Sequence, residues 1–195
     1  VENVSPSLVG MAVDYLTRFM SGTSAIGAFK ISEMGSRVVQ RKELFDQLLS
    51  NVKGLDDDSI SAAVKLSGFD SAYRAGVMAY RPVQNINPNS DTVENIRTMV
   101  KRSLRFLDQY GPKVMDGLTV EGGYTGYVSS GDGDFLTEDT LWDFKVSKKK
   151  LQSKYTLELL MYWSMGLHSI HPEYKNVKYL GVYNPRMNVV YLLDV

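Results

Sequence analysis

An α/β fold is what the sequence predicts: a small mixed sheet flanked by helices, with a mainly helical region before it. Three observations predict it. Apolar residues recur at helical spacing up to about residue 110, as in Leu8, Met11, Ala12, Tyr15, Leu16 and Phe19. From Lys113 onward the pattern shifts to short alternating runs broken by Gly122-Gly123 and Thr137–Thr140, the mark of strands and tight turns. One long apolar helix then separates these strands from a final hairpin, whose two strands beside the helix complete an α/β sandwich. The chain of 195 residues reads as a single domain with a helical part at about 1–110 and an α/β core at about 111–195.

Ser5-Pro6-Ser7 opens the first helix, with Ser5 as N-cap and Pro6 at the first helical position. A second helix is predicted from Ser24 to Val52, with a kink near Gly35. Leu55 to Ser59 is a turn whose aspartates start the next helix, favourable at the positive end of its dipole. That helix covers Ile60 to Leu66, and a further piece covers Ser71–Ala79. Arg81 to Asn89, rich in Pro and Asn, reads as a loop. Ser90 or Asp91 caps the following helix. Its apolar stripe is Val93, Ile96, Val100, Leu104 and Leu107, and Arg97, Lys101, Arg102 and Arg105 occupy much of the rest. Tyr110-Gly111-Pro112 ends it. Strands are expected at Lys113–Glu121, at Tyr124–Ser129 and on either side of the Thr137–Thr140 turn. A helix from about Lys149 to Leu167 follows, apolar nearly all round and therefore expected to be buried. Val177–Tyr183 and Asn188–Leu193 form the closing hairpin.

Composition narrows the function. Basic and acidic residues number 22 each, so a strongly basic nucleic-acid coat is absent and any contact with DNA must be a local patch. There is no cysteine, which excludes disulfides, zinc–thiolate centres and thiol nucleophiles and fits a reducing cytoplasm. No run of about 18 apolar residues is present to span a membrane, and no signal peptide is visible. His168 and His171 have no partner spacing that would suggest a Ser/His/Asp set.

The chemistry concentrates in Gly131 to Val146. Side chains alternate along Leu141–Val146, so Trp142, Phe144 and Val146 face a core while Asp143 and Lys145 face the other way. Asp134, on the preceding strand, can lie across from them, with Phe135 turned inward. Two carboxylates and an ammonium then converge at one sheet edge. Such a set suits phosphodiester hydrolysis. Hard divalent cations take oxygen ligands, a metal lowers the pKa of water and neutralises charge on the phosphorane, and a lysine orients the water or holds the phosphate. The competing reading of Asp143-x-Lys145 alone is an ordinary cross-strand pair on a surface hairpin. A calcium loop built from Asp132, Asp134, Glu138 and Asp139 is a further alternative, which Leu136 at a ligand position argues against.

The order of Asp134 strand, turn, Asp143-Phe144-Lys145 strand and long helix resembles the PD-(D/E)XK nuclease superfamily, over roughly Leu118 to Val195. In the following helix, Glu158-Leu159-Leu160-Met161-Tyr162 is similar to the QLxxY motif of the RecB-type branch, with glutamate in place of glutamine. Gly133, not proline, precedes Asp134. The resemblance implies a restriction-endonuclease-like core and a nuclease dependent on Mg²⁺ or Mn²⁺, of the kind used by phages and in DNA repair or restriction, with DNA as the expected partner. It implies Asp134, Asp143 and the Phe144 carbonyl as metal ligands, with Lys145, Glu158 and Tyr162 completing the catalytic set. The family often adds an acidic ligand from an upstream helix, for which Glu33 and Glu94 are the candidates. Lys148, Lys149 and Lys150, and Arg97, Lys101 and Arg105, are the local basic clusters able to meet a phosphate backbone; the plainer reading of both is solvation. The alternative to an enzyme is a catalytically degenerate relative that binds nucleic acid or a protein partner.

Overall fold

The computed structural model describes residues 1–129 and 133–195, which divide into two compact units, Val1–Leu104 and Arg105–Val195. The whole is a mixed α/β structure with one five-stranded mixed sheet. Among the described residues no helix is long and apolar enough to cross a membrane.

The first unit is helical. It comprises α1 (Pro6–Met20), α2 (Ala25–Ala28), α3 (Lys30–Val38), α4 (Lys42–Ser50), α5 (Asp57–Ser67), α6 (Asp70–Ala75) and most of α7 (Ser90–Tyr110). The Ser5 hydroxyl caps α1 by accepting from the Leu8 N–H at 3.3 Å, and Asp56 caps α5 through the Ser59 N–H at 2.9 Å. The single helix expected over 24–52 is instead three. Gln40 adopts a φ of 56°, a left-handed conformation that ends the α3 turn before α4 starts. Gly35 makes no break either; it lies inside α3, where a Cβ would stand 2.0 Å from the Phe69 carbonyl oxygen. Glycine there allows the two segments to approach. The cap of α7 is neither Ser90 nor Asp91 but Asn89, whose Oδ1 accepts from the Thr92 N–H at 2.9 Å. Phe29, Phe45 and Phe69 fill the core with Leu16, Ile60 and Leu66. Among them lies a fully buried carboxylate, Asp70, which accepts from Tyr15 Oη and from Ser32 Oγ at 2.6 Å.

In the second unit β1 (Met115–Leu118), β2 (Gly133–Leu136) and β3 (Thr140–Phe144) form an antiparallel meander. Helix α8 (Ser153–Gly166) then carries the chain to β4 (Tyr179–Asn184), which lies parallel to β3, and β5 (Val189–Asp194) closes the sheet antiparallel to β4. One sheet face carries Phe135, Trp142 and Tyr183 against Phe106 and Tyr110 from the last turns of α7, with the Phe106 and Tyr183 rings stacked at 4.1 Å. The other carries Leu136, Leu141, Leu180 and Val182 against Leu159 and Met165 of α8.

Two expectations fail here. Tyr124–Ser129 is no strand: the Glu121 carbonyl takes the Ile170 N–H at 2.8 Å, and Gly123 packs against the Met165 carbonyl, so this segment is bound to the end of α8 rather than to a sheet neighbour. Helix α8 is not buried all round, since Leu157, Leu160 and Met161 are exposed; its apolar surface exceeds what the sheet can cover.

Candidate active site

The hairpin turn puts the carboxylates together. Thr137 N–H donates to the Thr140 carbonyl at 3.0 Å, and the register Phe135↔Trp142 and Leu136↔Leu141, carried one step on, sets Asp134 opposite Asp143. Because Trp142 must fill the aromatic core, its neighbour Asp143 is forced onto the α8 face. Asp134 Oδ2 accepts the Phe144 N–H at 2.5 Å. The next N–H, that of Lys145, donates to the Tyr183 carbonyl at 3.0 Å and holds Lys145 in line with β3.

Asp143 uses its two oxygens differently. Oδ1 lies 2.9 Å from Lys145 Nζ, whereas Oδ2 is buried with no hydrogen-bond partner among the described residues. Lys145 Nζ is also 3.6 Å from Glu158 Oε2 on α8, and 5.2 Å from the centre of the Tyr155 ring. Burial pushes the Asp143 carboxyl above its usual range; Lys145 pulls it back only in part, and Glu158 adds to the rise. For Lys145 burial acts to lower the pKa, but Asp143, Glu158 and Asp134 outweigh it and hold the ammonium charged.

Of the residues predicted from sequence, Asp143, Lys145 and Glu158 are thus in one place, with Asp134 and the Phe144 peptide beside them. Tyr162 packs, half-buried, against the core beneath α8. Glu33 and Glu94 both belong to the first unit and are engaged by Arg37 and Arg97 respectively. Arg97 is corrected: its Nε donates to the Leu55 carbonyl at 2.8 Å and its guanidinium pairs with Asp57 and Glu94, so it clamps α7 to the start of α5 and is not free to meet phosphate. Lys101, Arg105 and Lys148 to Lys150 are exposed. Lys149 and Lys150 precede α8 instead of opening it, because Ser153 begins the helix. His168 Nδ1 lies 2.9 Å from the Ser164 carbonyl, near the end of α8 as its sequence position suggests. Asp132, one of the acidic residues of the calcium-loop alternative, lies outside the described residues.

Tyr155 is the member that sequence reasoning missed. It sits three residues before Glu158, on the same helix face, and that spacing was the available signal. Lys154, four residues before Glu158, lies over the Tyr155 ring at 4.9 Å.

Among the described residues no group of three or more His, Cys, Asp and Glu side chains is arranged to hold a metal ion. Asp134 and Asp143, with a main-chain carbonyl, make a smaller oxygen set than that. Comparison with protein-family models, with curated proteins and with solved structures gave no match.

Proposed function

We propose that this protein is a divalent-metal-dependent nuclease that hydrolyses phosphodiester bonds, with DNA as substrate. The observation that carries the reading is the state of Asp143. A buried carboxylate oxygen without a donor is costly, yet Oδ2 is left so while Lys145 occupies Oδ1. An oxygen of this kind fits a hard cation. Asp143, Asp134 and the Phe144 carbonyl would hold Mg²⁺ or Mn²⁺, which usually takes one or two carboxylates and completes its shell with water and substrate phosphate. When bound there, the cation supplies Lewis acidity toward the phosphate and a lowered pKa for water.

The chain's own residues do the rest. Lys145, held between Asp143 and Glu158, presents a fixed positive charge to the phosphodiester and a donor that can orient the attacking water. Glu158 fixes the lysine from the helix side. Asp134 anchors the end of β3 through Phe144 N–H while keeping its carboxylate next to Asp143. The meander, α8 and the parallel strand β4 agree with the small mixed sheet flanked by helices that a restriction-endonuclease-like core requires. A catalytically degenerate nucleic-acid-binding module is the second reading, favoured by the absence, among the described residues, of three or more His, Cys, Asp or Glu side chains arranged to hold a metal ion.

The test is incubation of purified protein with labelled linear DNA, circular DNA and RNA, each with Mg²⁺, Mn²⁺ or EDTA. Cleavage of DNA that EDTA abolishes is the expected result, and Asp134→Asn, Asp143→Asn and Lys145→Ala should each lower it by roughly a hundredfold or more. Metal-independent binding with no cleavage under any of these conditions would establish the degenerate reading instead.

A further inference from the structure

Strand β5 is the outer strand of the sheet, and no further strand lies beyond it among the described residues. Which of its main-chain groups point outward follows from the ladder. The Lys145 N–H donates to the Tyr183 carbonyl, so the main chain of Tyr183 faces β3. Alternation then turns Leu180, Val182 and Asn184 toward β5, where they meet Leu193, Tyr191 and Val189. The Val195 N–H, donating to the Lys178 carbonyl at 3.0 Å, keeps the same phase. The N–H and C=O groups of Val190, Leu192 and Asp194 are left on the open edge.

Natural sheet edges are blunted by lysines, prolines, bulges or a covering segment. Strand β5 has none of these. It reads Val-Val-Tyr-Leu-Leu-Asp, pairs with β4 residue for residue along its length, and carries one charge, at its end. Nor is it covered, since Leu192 is 51% and Leu193 49% exposed. These two lie on opposite faces, Leu192 beyond Val190 on the aromatic side and Leu193 beyond Tyr191 on the α8 side. A strand that completes this edge must offer main-chain donors and acceptors in phase and be apolar on both faces. A strand with one solvated face would set polar side chains against Leu192 or Leu193. Strand β5 itself meets both conditions.

We propose that the open edge of β5 pairs antiparallel with β5 of a second copy of this chain, across a two-fold axis at Tyr191. In that register Val189 lies opposite the partner's Leu193, Val190 opposite the partner's Leu192, and Tyr191 opposite its own copy. Val190 and Leu192 make the hydrogen-bonded pairs, about four bonds in all. The polar ends fit as well. Asp194 comes opposite the partner's Asn188, a residue whose Oδ1 takes the Tyr183 hydroxyl at 3.3 Å and whose Nδ2 is left to donate to the carboxylate. The two Asp194 carboxylates stand roughly 20 Å apart, beyond the screening length of about 8–10 Å. An axis at Leu192 would set Asp194 against Val190 and lose that polar match. Paired edges bury less than the about 800 Å² per partner of a tight complex, so the dissociation constant falls at about 1–100 µM.

Sedimentation velocity of the full chain from about 1 to about 500 µM is the test, and wild type should pass from monomer to dimer across that range. Leu192→Lys should weaken the dimer at least about tenfold, because the two introduced ammonium groups meet on the diagonal at about 7–8 Å, within the screening length. Leu192→Pro should weaken it too, since it removes an outward N–H and none of the bonds to β4. Circular dichroism checks that both variants fold. The chain has no cysteine, so a single introduced one reports the register. Tyr191→Cys sets two thiols at a pair with Cα atoms about 4.5 Å apart and should cross-link with copper–phenanthroline, whereas Asp194→Cys should not. Wild type that stays monomeric at the highest concentration overturns the self-pairing and leaves the edge to a strand of another protein. A dimer that survives both Leu192 variants overturns it as well, and cross-linking of Asp194→Cys in preference to Tyr191→Cys rejects the register.

Discussion

Replacing Lys145 by methionine removes the ammonium 2.9 Å from Asp143 Oδ1 while keeping most of the stem's apolar packing. Asp143 is then a carboxylate with one oxygen buried and unpartnered and the other newly deprived of its cation. Removing one partner of a buried pair costs about 3–5 kcal/mol. The side chains are 11% exposed for Asp143 and 28% for Lys145, so water screens part of the charge and the lower end, about 3 kcal/mol, applies. Asp143→Asn combined with Lys145→Met should recover most of that loss, since no buried charge is then stranded. Urea unfolding followed by tryptophan fluorescence is the assay, because Trp142 and Trp163 both lie in the second unit and report on it alone. The four proteins form a double-mutant cycle with an expected coupling of about 2 kcal/mol. A coupling below about 0.5 kcal/mol, the scale of an exposed ion pair, would show that water already screens the site, and the argument for a preorganised lysine would fail.

Two further outcomes follow from the same geometry. Burial raises the Asp70 carboxyl above its ordinary value although Ser32, Tyr15 and Arg74 all act to lower it. The folded protein therefore binds the proton more tightly than the unfolded chain. Stability relative to Asp70→Asn should be greatest below about pH 4 and fall as pH rises through the folded value; urea midpoints of the two proteins across pH 3 to 8 measure it, and a difference that grows with pH would reverse the sign. Glu158→Gln, which can still hydrogen-bond Lys145, should keep part of the cleavage activity. Glu158→Leu should lose at least about tenfold while its stability stays within about 0.5 kcal/mol of wild type, as expected for a half-exposed position; full activity in Glu158→Leu would reduce Glu158 to a surface neighbour of the lysine.

What could be read from the sequence was whatever depends on spacing along the chain. Asp143 and Lys145 share a face because a strand has period two, and the short turn between Leu136 and Leu141 leaves little freedom in how Asp134 aligns with them. The cap Ser5 and the acidic start of α5 were legible for the same local reason, though not that Asp56 is its cap. Asn89, Ser90 and Asp91 are three successive residues able to cap, and only the packed structure chooses Asn89. The break at Gln40 carries no Gly or Pro to announce it. Tyr124–Ser129 has strand-forming residues, but Glu121 and Gly123 just before it are held by Ile170 and Met165 more than 40 positions away, and such tertiary contacts override a weak propensity. Arg97 was readable as a cation and not as a clamp, because Asp57 and Leu55 lie about 40 residues earlier in the chain.

The end of β3 shows why structure and chemistry share residues here. Successive N–H groups along a strand point to opposite sides. Tyr183 of β4 takes that of Lys145, and the Asp134 carboxylate takes that of Phe144. Asp134 therefore substitutes for a backbone acceptor at the point where the meander runs out, and its charge is brought beside Asp143 by the same hydrogen bond. Asparagine at 134 can still accept the Phe144 N–H through Oδ1, so Asp134→Asn separates the charge from the anchor. Alanine would remove both and leave the Phe144 N–H without its acceptor. A fall in cleavage in the asparagine variant can then be assigned to the missing carboxylate charge, since the geometry of the strand end is kept.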